Sequence, residues 1–152
     1  MDFNAATIVM GDELDKLLQE GHRPLGMQWI DRDKNDYLRK AGNMNVDPAY
    51  KSRLVGRGDQ ETCEGIRSDS PTVDVEGQNM ILSFAASEKL TIKSADITNA
   101  YFQGEELDRL LLFRQPPGGL PGVPEGAMLI ARVPIYGTKD AGRGFWKKLR
   151  TS

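Results

Sequence analysis

The stretch from Ser94 to Gly104 brings residue types that can do chemistry into a short span. Asp96 ends a predicted strand, Tyr101 follows five positions later, and Gly104 closes a turn behind both. A carboxylate at a strand end can hold a divalent cation, because hard cations prefer oxygen ligands. An aromatic ring at this offset can lie against a nucleotide sugar. The same pattern is also typical of an ordinary junction between a strand and a turn.

The composition restricts which metal chemistry the chain can support. Cys63 is the sole cysteine and His22 the sole histidine, which excludes an internal disulfide, a multi-cysteine zinc site and chemistry that needs two histidines. We expect an incidental placement for both residues. Any metal would have to be bound by carboxylates and other oxygens, which suits magnesium or manganese.

Length and charge define the general class of the protein. The 152-residue chain is expected to form one domain or part of one. Its composition, with 39% hydrophobic and 28% charged residues, is typical of a globular protein. No apolar run approaches the ~20 residues of a membrane helix. The N-terminus lacks the basic-then-apolar pattern of a secretory signal, so we expect an intracellular protein. The net charge of −2 argues weakly against nucleic-acid binding, but cations cluster locally: Lys51, Arg53, Arg57, Lys139, Arg143, Lys147, Lys148, Arg150.

Hydrophobic periodicity predicts the elements that must position these residues. Three helices are predicted. The first begins near Asp12, the second runs from Asp74 to Lys89 with Asp74 as its N-cap, and the third runs from Lys139 to Arg150. The predicted strands are Met27–Asp31, Tyr50–Arg57, Leu90–Asp96, Leu110–Phe113 and Met128–Val133. The polar stretch 32–48 is expected to form a loop or hairpin tip, and 59–71 and 115–126 are expected to be irregular. Short strands and helices mix without regular βαβ alternation, so the predicted class is α+β with long loops.

Three segments in order resemble the reverse transcriptase of copia-type retrotransposons. Residues 49–58, AYKSRLVGRG, resemble the YKARLVARG fingers strand of that family. Residues 95–105, ADITNAYFQGE, resemble MDVKTAFLNGE, and residues 136–143, YGTKDAGR, resemble YGLKQAPR, with FWKK at 145–148 extending the match. Weaker similarities occur at Trp29, Ser70-Pro71 and Gln115-Pro116. The resemblance covers roughly Leu25 to Arg150, and three motifs in family order are far more specific than any one alone.

The resemblance implies a partial fingers-and-palm polymerase fold and a role for several residues. Asp96 is expected to be the first catalytic aspartate and a magnesium or manganese ligand, with the Ile97 carbonyl as a further ligand. Tyr101 is expected to meet the sugar of the incoming deoxynucleotide; a core position behind the turn is the equal alternative. Nucleotide contacts are expected from Lys51, Arg53 and Arg57, which alternation places on one strand face, and template or primer contacts from Tyr136, Gly137 and Lys139. For Lys51, Arg53 and Arg57, a strand face that contacts only solvent is nearly as good an interpretation.

The resemblance is incomplete in one respect that matters for activity. Members of the family carry a Tyr-x-Asp-Asp hairpin further along, which supplies two more catalytic aspartates, and no Asp-Asp pair occurs in this sequence. We therefore expect this chain to be the N-terminal half of the domain. Residues 1–24 are expected to form a helical extension, and residues 25–150 the fingers and the first part of the palm. This half is expected not to polymerise alone, not to hold the metal stably, and to expose apolar surface that the rest of the Pol polyprotein covers. The implied partners are an RNA or DNA template-primer and deoxynucleotides, without a membrane. The alternatives are a non-catalytic nucleic-acid-binding module and an interaction domain without nucleic acid.

Overall fold

Short strands and helices alternate irregularly along the chain, as the predicted α+β class requires. The computed structural model describes residues 5–62 and 64–151. Cys63 and the first four residues, with the predictions that concern them, lie outside the described part. The strands are β1 (Ala6–Val9), β2 (Met27–Asp33), β3 (Tyr50–Gly56), β4 (Leu112–Arg114) and β5 (Met128–Ala131). The helices are α1 (Asp12–Gln19), α2 (Asp36–Lys40), α3 (Val75–Ser87) and α4 (Ala141–Thr151), with 3-10 turns at Gly58–Gln60 and Ala100–Gln103.

A three-stranded antiparallel sheet of order β1-β5-β4 carries the main core. Phe113 on β4 is fully buried and pairs with Leu129 on β5. Leu25, just before β2, bridges in parallel to Phe113 and so brings the start of β2 onto this sheet. Burial of these large apolar side chains is the dominant stabilising contribution in a domain of this size.

The second sheet is a hairpin of β2 and β3, paired from Met27 with Gly56 to Asp33 with Tyr50. The predicted hairpin tip is confirmed, and the structure adds the short helix α2 within it. Asp33 organises the tip: its Oδ1 accepts hydrogen bonds from the Asn35 and Ala49 amides, each at 2.9 Å, and its Oδ2 pairs with Arg39. The Asp33 carboxylate therefore joins the two ends of the tip.

The predicted helices are confirmed within a few residues at their ends. α1 begins at Asp12 as expected. Asp74 caps α3 by accepting a hydrogen bond from the Gly77 amide at 2.7 Å, the contact typical of an N-cap aspartate. α4 occupies most of the predicted Lys139–Arg150 range. Among the described residues, no helix is both long and apolar enough to span a membrane.

One predicted strand is absent, and one strand forms where only a helical extension was predicted. Residues 90–96 form no strand, although Leu90 and Ile92 alternate correctly, because no described strand pairs with them. A strand is stable only when a neighbour satisfies its backbone groups. Conversely, β1 lies inside the predicted helical extension and pairs with β5, so residues before 24 contribute to the main sheet. The division of the chain at residue 24 stays a prediction.

Residues 72–99, which we call the open segment, pack far less than the two sheets. Only Gly77 and Ala85 in this segment are shielded from solvent. The apolar side chains of α3 point outward: Met80 is 73% exposed and Phe84 is 60% exposed. The expected exposed apolar surface is therefore present, and it is concentrated here.

Candidate functional site

A cleft of about 410 Å³ separates β3 from the end of the open segment and the turn that follows it. Four residues of β3 form one wall, and residues 96–99 with Phe102 and Tyr136 form the other: the lining is Lys51, Ser52, Arg53, Leu54, Asp96, Ile97, Thr98, Asn99, Phe102 and Tyr136. Five of the predicted site residues meet here, Lys51, Arg53, Asp96, Ile97 and Tyr136, although they lie far apart in the sequence. The cleft thus places one carboxylate beside two cations.

Another cavity of about 420 Å³ lies between α4 and residues 105–109. Its rim mixes Glu105, Glu106 and Asp108 with Arg67, Arg143 and Lys147, and it contains none of the predicted site residues. Two of these cations are already paired, since Arg67 and Arg143 both contact Asp69. The β3 cleft is therefore the better candidate for a functional site.

Asp96 lies in an exposed, irregular stretch that becomes ordered a few residues later. Asn99 adopts a left-handed conformation with φ of 54°, which asparagine tolerates better than most residues, and starts the 3-10 turn Ala100–Gln103. The Gln103 side-chain amide donates to the Thr98 carbonyl at 2.7 Å and closes the turn. The Asp96 carboxylate is thus presented to solvent directly before a fixed turn.

An aromatic cluster supports the far wall of the cleft. The rings of Tyr101 and Tyr136 lie 4.6 Å apart between centroids, and Phe102 meets Tyr136 edge-on at 5.5 Å. Phe145 of α4 approaches Tyr101 at 6.5 Å. Tyr101 is half-buried in this cluster and does not line the cleft. Its packing fixes the position of Tyr136, and its expected contact with a sugar stays a prediction.

The base of the hairpin is joined to the turn around Gly137 by close backbone contacts, and we call this region the hairpin junction. The Gly56 amide donates to the Tyr136 carbonyl at 2.7 Å. Gly137 has φ of 90°, and a Cβ on it would collide with the Gly56 carbonyl oxygen. A Cβ on Gly58 would collide with the Gly137 carbonyl oxygen, and one on Gly56 would come within 2.7 Å of the Phe113 ring. Gly137 therefore has a structural reason to be glycine, besides its predicted role at the template.

Lys139 belongs to a partly buried ionic network, centred on the buried Glu61, that the sequence did not reveal. Its Nζ donates to the Glu61 carbonyl and its amide donates to the Glu61 carboxylate, both at 2.9 Å. Arg109 donates to the same carboxylate at 2.7 Å and to Asp140 at 2.8 Å. Burial alone would lower the pKa of Arg109, but the hydrogen bonds that it donates to Asp140 and Glu61 outweigh the effect of burial and raise that pKa. Local sequence patterns could not predict this network, because its charged residues are far apart in the sequence.

Arg57 lies outside the cleft. β3 ends at Gly56, so the predicted alternation holds for Lys51 and Arg53 and does not extend to Arg57. The Arg57 guanidinium instead forms a two-point ion pair with Asp59, at 2.8 and 2.7 Å. This hydrogen bonding raises the pKa of Arg57 and lowers the pKa of Asp59. A nucleotide contact from Arg57 would require this pair to open.

The described residues do not make up a metal centre. Among them, no group of three or more histidine, cysteine, aspartate or glutamate side chains lies close enough to hold a metal ion. Asp96 is the one carboxylate that lines the cleft within the described part of the chain. Two-metal phosphoryl transfer needs several carboxylates around both ions, so these residues alone do not fit that arrangement.

Comparison with known proteins agrees with the three motifs. A family described as "Reverse transcriptase (RNA-dependent DNA polymerase)" matches residues 15–152. The chain is 31% identical over 134 residues to the "Retrovirus-related Pol polyprotein from transposon TNT 1-94" of Nicotiana tabacum, covering 86% of this chain and 10% of that protein. It is 29% identical over 129 residues to the Pol polyprotein from transposon RE2 of Arabidopsis thaliana, covering 84% and 8%.

The chain spans about a tenth of the length of these relatives. No solved structure matches it. The family match covers nearly all of the sequence, including β3, the cleft and α4, and the relatives are retrotransposon polyproteins, as the copia-type motifs predicted. This chain therefore belongs to the reverse transcriptase family of retrotransposon Pol polyproteins.

Proposed function

We propose that the chain is the fingers and first palm part of an RNA-directed DNA polymerase, and that the β3 cleft receives the incoming deoxynucleotide. The observation that carries this proposal is that Asp96 shares the cleft with Lys51 and Arg53. A nucleoside triphosphate carries several negative charges, and cations beside it stabilise the bound phosphates. The cleft volume of about 410 Å³ is within the range of small-molecule sites.

Each side of the cleft has a proposed task. Arg53 and Lys51 contact the triphosphate from the β3 wall. Asp96 and the Ile97 carbonyl supply oxygen ligands for magnesium or manganese from the opposite wall, when the remaining ligands are present. Tyr136, Gly137 and Lys139 lie next to the template-primer, and Tyr101, packed on Tyr136, limits the space at the sugar.

The single carboxylate of the cleft sets a limit on activity. We propose that the remaining acidic ligands come from another part of the Pol polyprotein and that this chain alone does not extend a primer. The open segment fits this proposal, because its apolar side chains would be covered by that part. We also propose an intracellular location, where template, primer and deoxynucleotides are available.

Equilibrium binding of a deoxynucleoside triphosphate tests the cleft assignment directly. Arg53→Ala is expected to weaken binding by about tenfold or more, the typical effect of losing a hydrogen bond to a charged group. The matched control is Arg23→Ala, which removes an exposed arginine that does not line the cleft. Equal affinities for the two variants would contradict the cleft assignment. Primer extension on an RNA template with magnesium should show no synthesis, and robust synthesis would overturn the proposal that this chain alone does not extend a primer.

A non-catalytic nucleic-acid-binding module is the second candidate. It is favoured by Lys51 and Arg53 on the hairpin, which form no salt bridge within the described residues and need neither Asp96 nor a metal to attract phosphate. Under this alternative, substitution of Asp96 leaves nucleic-acid binding unchanged, and binding of a single deoxynucleotide is absent.

A further inference from the structure

The turn that carries Tyr136 is supported from two sides, and we call residues 135–140 the Tyr136 turn. On one side, the hairpin junction holds it through the bond from the Gly56 amide to the Tyr136 carbonyl at 2.7 Å. On the other side, Glu61 holds its end. The Lys139 amide donates to the Glu61 carboxylate and the Lys139 Nζ donates to the Glu61 carbonyl, both at 2.9 Å. Both supports therefore come from the base of the same hairpin.

Glu61 is the buried centre of the second support. Only 3% of its side chain is exposed, and a carboxylate in such a place is costly unless hydrogen-bond donors surround it. Each of its oxygens has a donor: Oε1 accepts from Arg109 Nη2 at 2.7 Å, and Oε2 accepts from the Lys139 amide. The Glu61 carboxylate therefore links the segment before β4 to the end of the Tyr136 turn.

Arg109 reaches the same turn a second time. Its Nε donates to Asp140 Oδ2 at 2.8 Å, and Asp140 is the last residue of the turn. The other oxygen, Asp140 Oδ1, is buried without a donor among residues 5–62 and 64–151. Within that part of the chain, the Asp140 carboxylate depends on Arg109 for its hydrogen bonding. Glu61 and Arg109 thus hold the last two residues of the turn together.

The turn transmits this support to Tyr136 because it is closed internally. Thr138 is buried, and its amide and hydroxyl both donate to the Ile135 carbonyl, at 3.1 and 2.8 Å. Tyr136 lies between these two residues and lines the cleft. A displacement at the end of the turn therefore displaces Tyr136 as well.

Glu61, Arg109 and Asp140 do not themselves line the cleft. We propose that Glu61 and Arg109 are positioning residues: acting through the end of the turn, they hold Tyr136 where it meets the incoming nucleotide. The inference rests on the proposed function, which makes the cleft the deoxynucleotide site. It also gives Lys139 a task at Glu61, besides its proposed place next to the template-primer.

A purely stabilising ion pair would behave differently. Loss of global stability lowers the fraction of molecules that are folded but leaves the hydrogen bonds of the folded molecules in place. Loss of a positioning contact moves the Tyr136 turn in the folded molecules themselves. The test therefore reads the folded state. Its reporter is the NMR resonance of the Gly56 amide proton, because that amide donates to the Tyr136 carbonyl.

Glu61→Gln keeps the size of the side chain but turns one acceptor oxygen into a donor, which opposes either Arg109 or the Lys139 amide. The Gly56 amide proton should shift upfield, the direction expected when its hydrogen bond lengthens. Binding of a deoxynucleoside triphosphate should weaken about fivefold, the scale of one lost hydrogen bond. The control Leu14→Ala empties a buried site on α1. It should destabilise the fold but leave the resonance and the affinity of the folded chain unchanged.

Arg109→Lys provides a second, milder measurement. It keeps the positive charge, but an ammonium lacks the fork with which the guanidinium reaches both Glu61 and Asp140. The Gly56 resonance should shift in the same direction, and binding should weaken at least about twofold. The double variant Glu61→Gln/Arg109→Lys should bind no more weakly than Glu61→Gln alone, because the two residues act as one support. Circular dichroism checks that each variant is folded.

Several outcomes would overturn the inference. They are an unmoved Gly56 resonance in both Glu61→Gln and Arg109→Lys, an unchanged deoxynucleotide affinity in both, and an equal shift of the resonance in Leu14→Ala. Failure of the proposed function is distinguishable. Arg53→Ala and Arg23→Ala would then bind a deoxynucleotide equally, or the unaltered chain would bind none, while the Gly56 resonance still decides whether Glu61 holds the Tyr136 turn.

Discussion

One wall of the cleft is β3, whose base is anchored at the hairpin junction, and the end of the open segment lies in the opposite wall. The hairpin junction and the open segment are built in contrasting ways. At the junction, backbone meets backbone: the Gly56 amide bonds to the Tyr136 carbonyl, and glycines leave no room for a Cβ. Phe113 fills the space beneath and has no exposed surface. In the open segment, α3 buries only Ala85, and its larger apolar side chains lie in solvent.

This difference concerns how firmly each functional group is held. Lys51 and Arg53 extend from a hairpin whose base is fixed to the main sheet, so the cations have a defined position. Asp96 lies at the end of a segment that no described strand pairs with. Exposed apolar surface of this extent usually marks a place where another surface packs. The cleft thus has one wall that is complete and one wall that fits the proposed requirement for a further part of the polyprotein.

The largest expected effect on stability comes from replacing one phenylalanine in each region. Phe113→Ala should lower the free energy of unfolding by about 3–5 kcal/mol, the usual result of emptying a buried aromatic site. Phe84→Ala, at a position that is 60% exposed, should change it by less than about 0.5 kcal/mol. Denaturant unfolding monitored by circular dichroism measures both. Comparable losses for the two variants would mean that α3 packs as firmly as the sheet, which contradicts the comparison.

Two glycines with similar positive φ angles allow the effect of close backbone packing to be separated from the effect of backbone conformation. Gly137 and Gly126 have φ of 90° and 78°, but a Cβ meets the Gly56 carbonyl only at Gly137 and open space at Gly126. Gly126→Ala should cost about 1 kcal/mol for the left-handed conformation. Gly137→Ala should cost about 1–3 kcal/mol more, because the backbones must move apart. Unfolding midpoints measure the difference, and equal midpoints would show that the junction is looser than its contacts indicate.

Local signals predicted much of the fold, and long-range pairing explains where they failed. The Asp74 cap and the α1 start were predictable because each depends on residues within one helical turn. β1 was missed because it is only four residues long and its partner, β5, lies at the other end of the chain. Residues 90–96 show the opposite error, since alternation is present but a paired strand is not.

The candidate site divides in the same way. The motifs indicated Asp96, Lys51 and Arg53, and the structure brings these three residues to one cleft. No motif indicated the network of Glu61, Arg109 and Asp140, because its charges come from distant segments and each is unremarkable in its own neighbourhood. The proximity of Arg32 to Lys51 became visible only from the hairpin register, which pairs the two residues.

The smallest expected effect is the titration of Asp33, which tests whether the hairpin is held as firmly at its tip as at the hairpin junction. Hydrogen bonding from Arg39 is the main reason why the pKa of Asp33 lies below its usual value, and the amides of Asn35 and Ala49 act in the same direction. A carboxyl with a lowered folded-state pKa stabilises the fold above its unfolded pKa of about 3.9 and loses that contribution as pH falls through the lower folded value. The tip should therefore stay ordered at pH 5 and loosen only in more acidic solution.

Amide chemical shifts of Asn35 and Ala49 measure this titration, because both amides donate to the Asp33 carboxylate. Their shared midpoint should lie below about 3.9, the value of an unperturbed aspartate. Asp33→Asn keeps the size of the side chain but removes its titration, so both shifts should become independent of pH in that range. A midpoint at or above the unperturbed value would show that Asp33 does not hold the tip. The outer end of the hairpin, which carries Lys34 and Tyr37, would then have no fixed geometry.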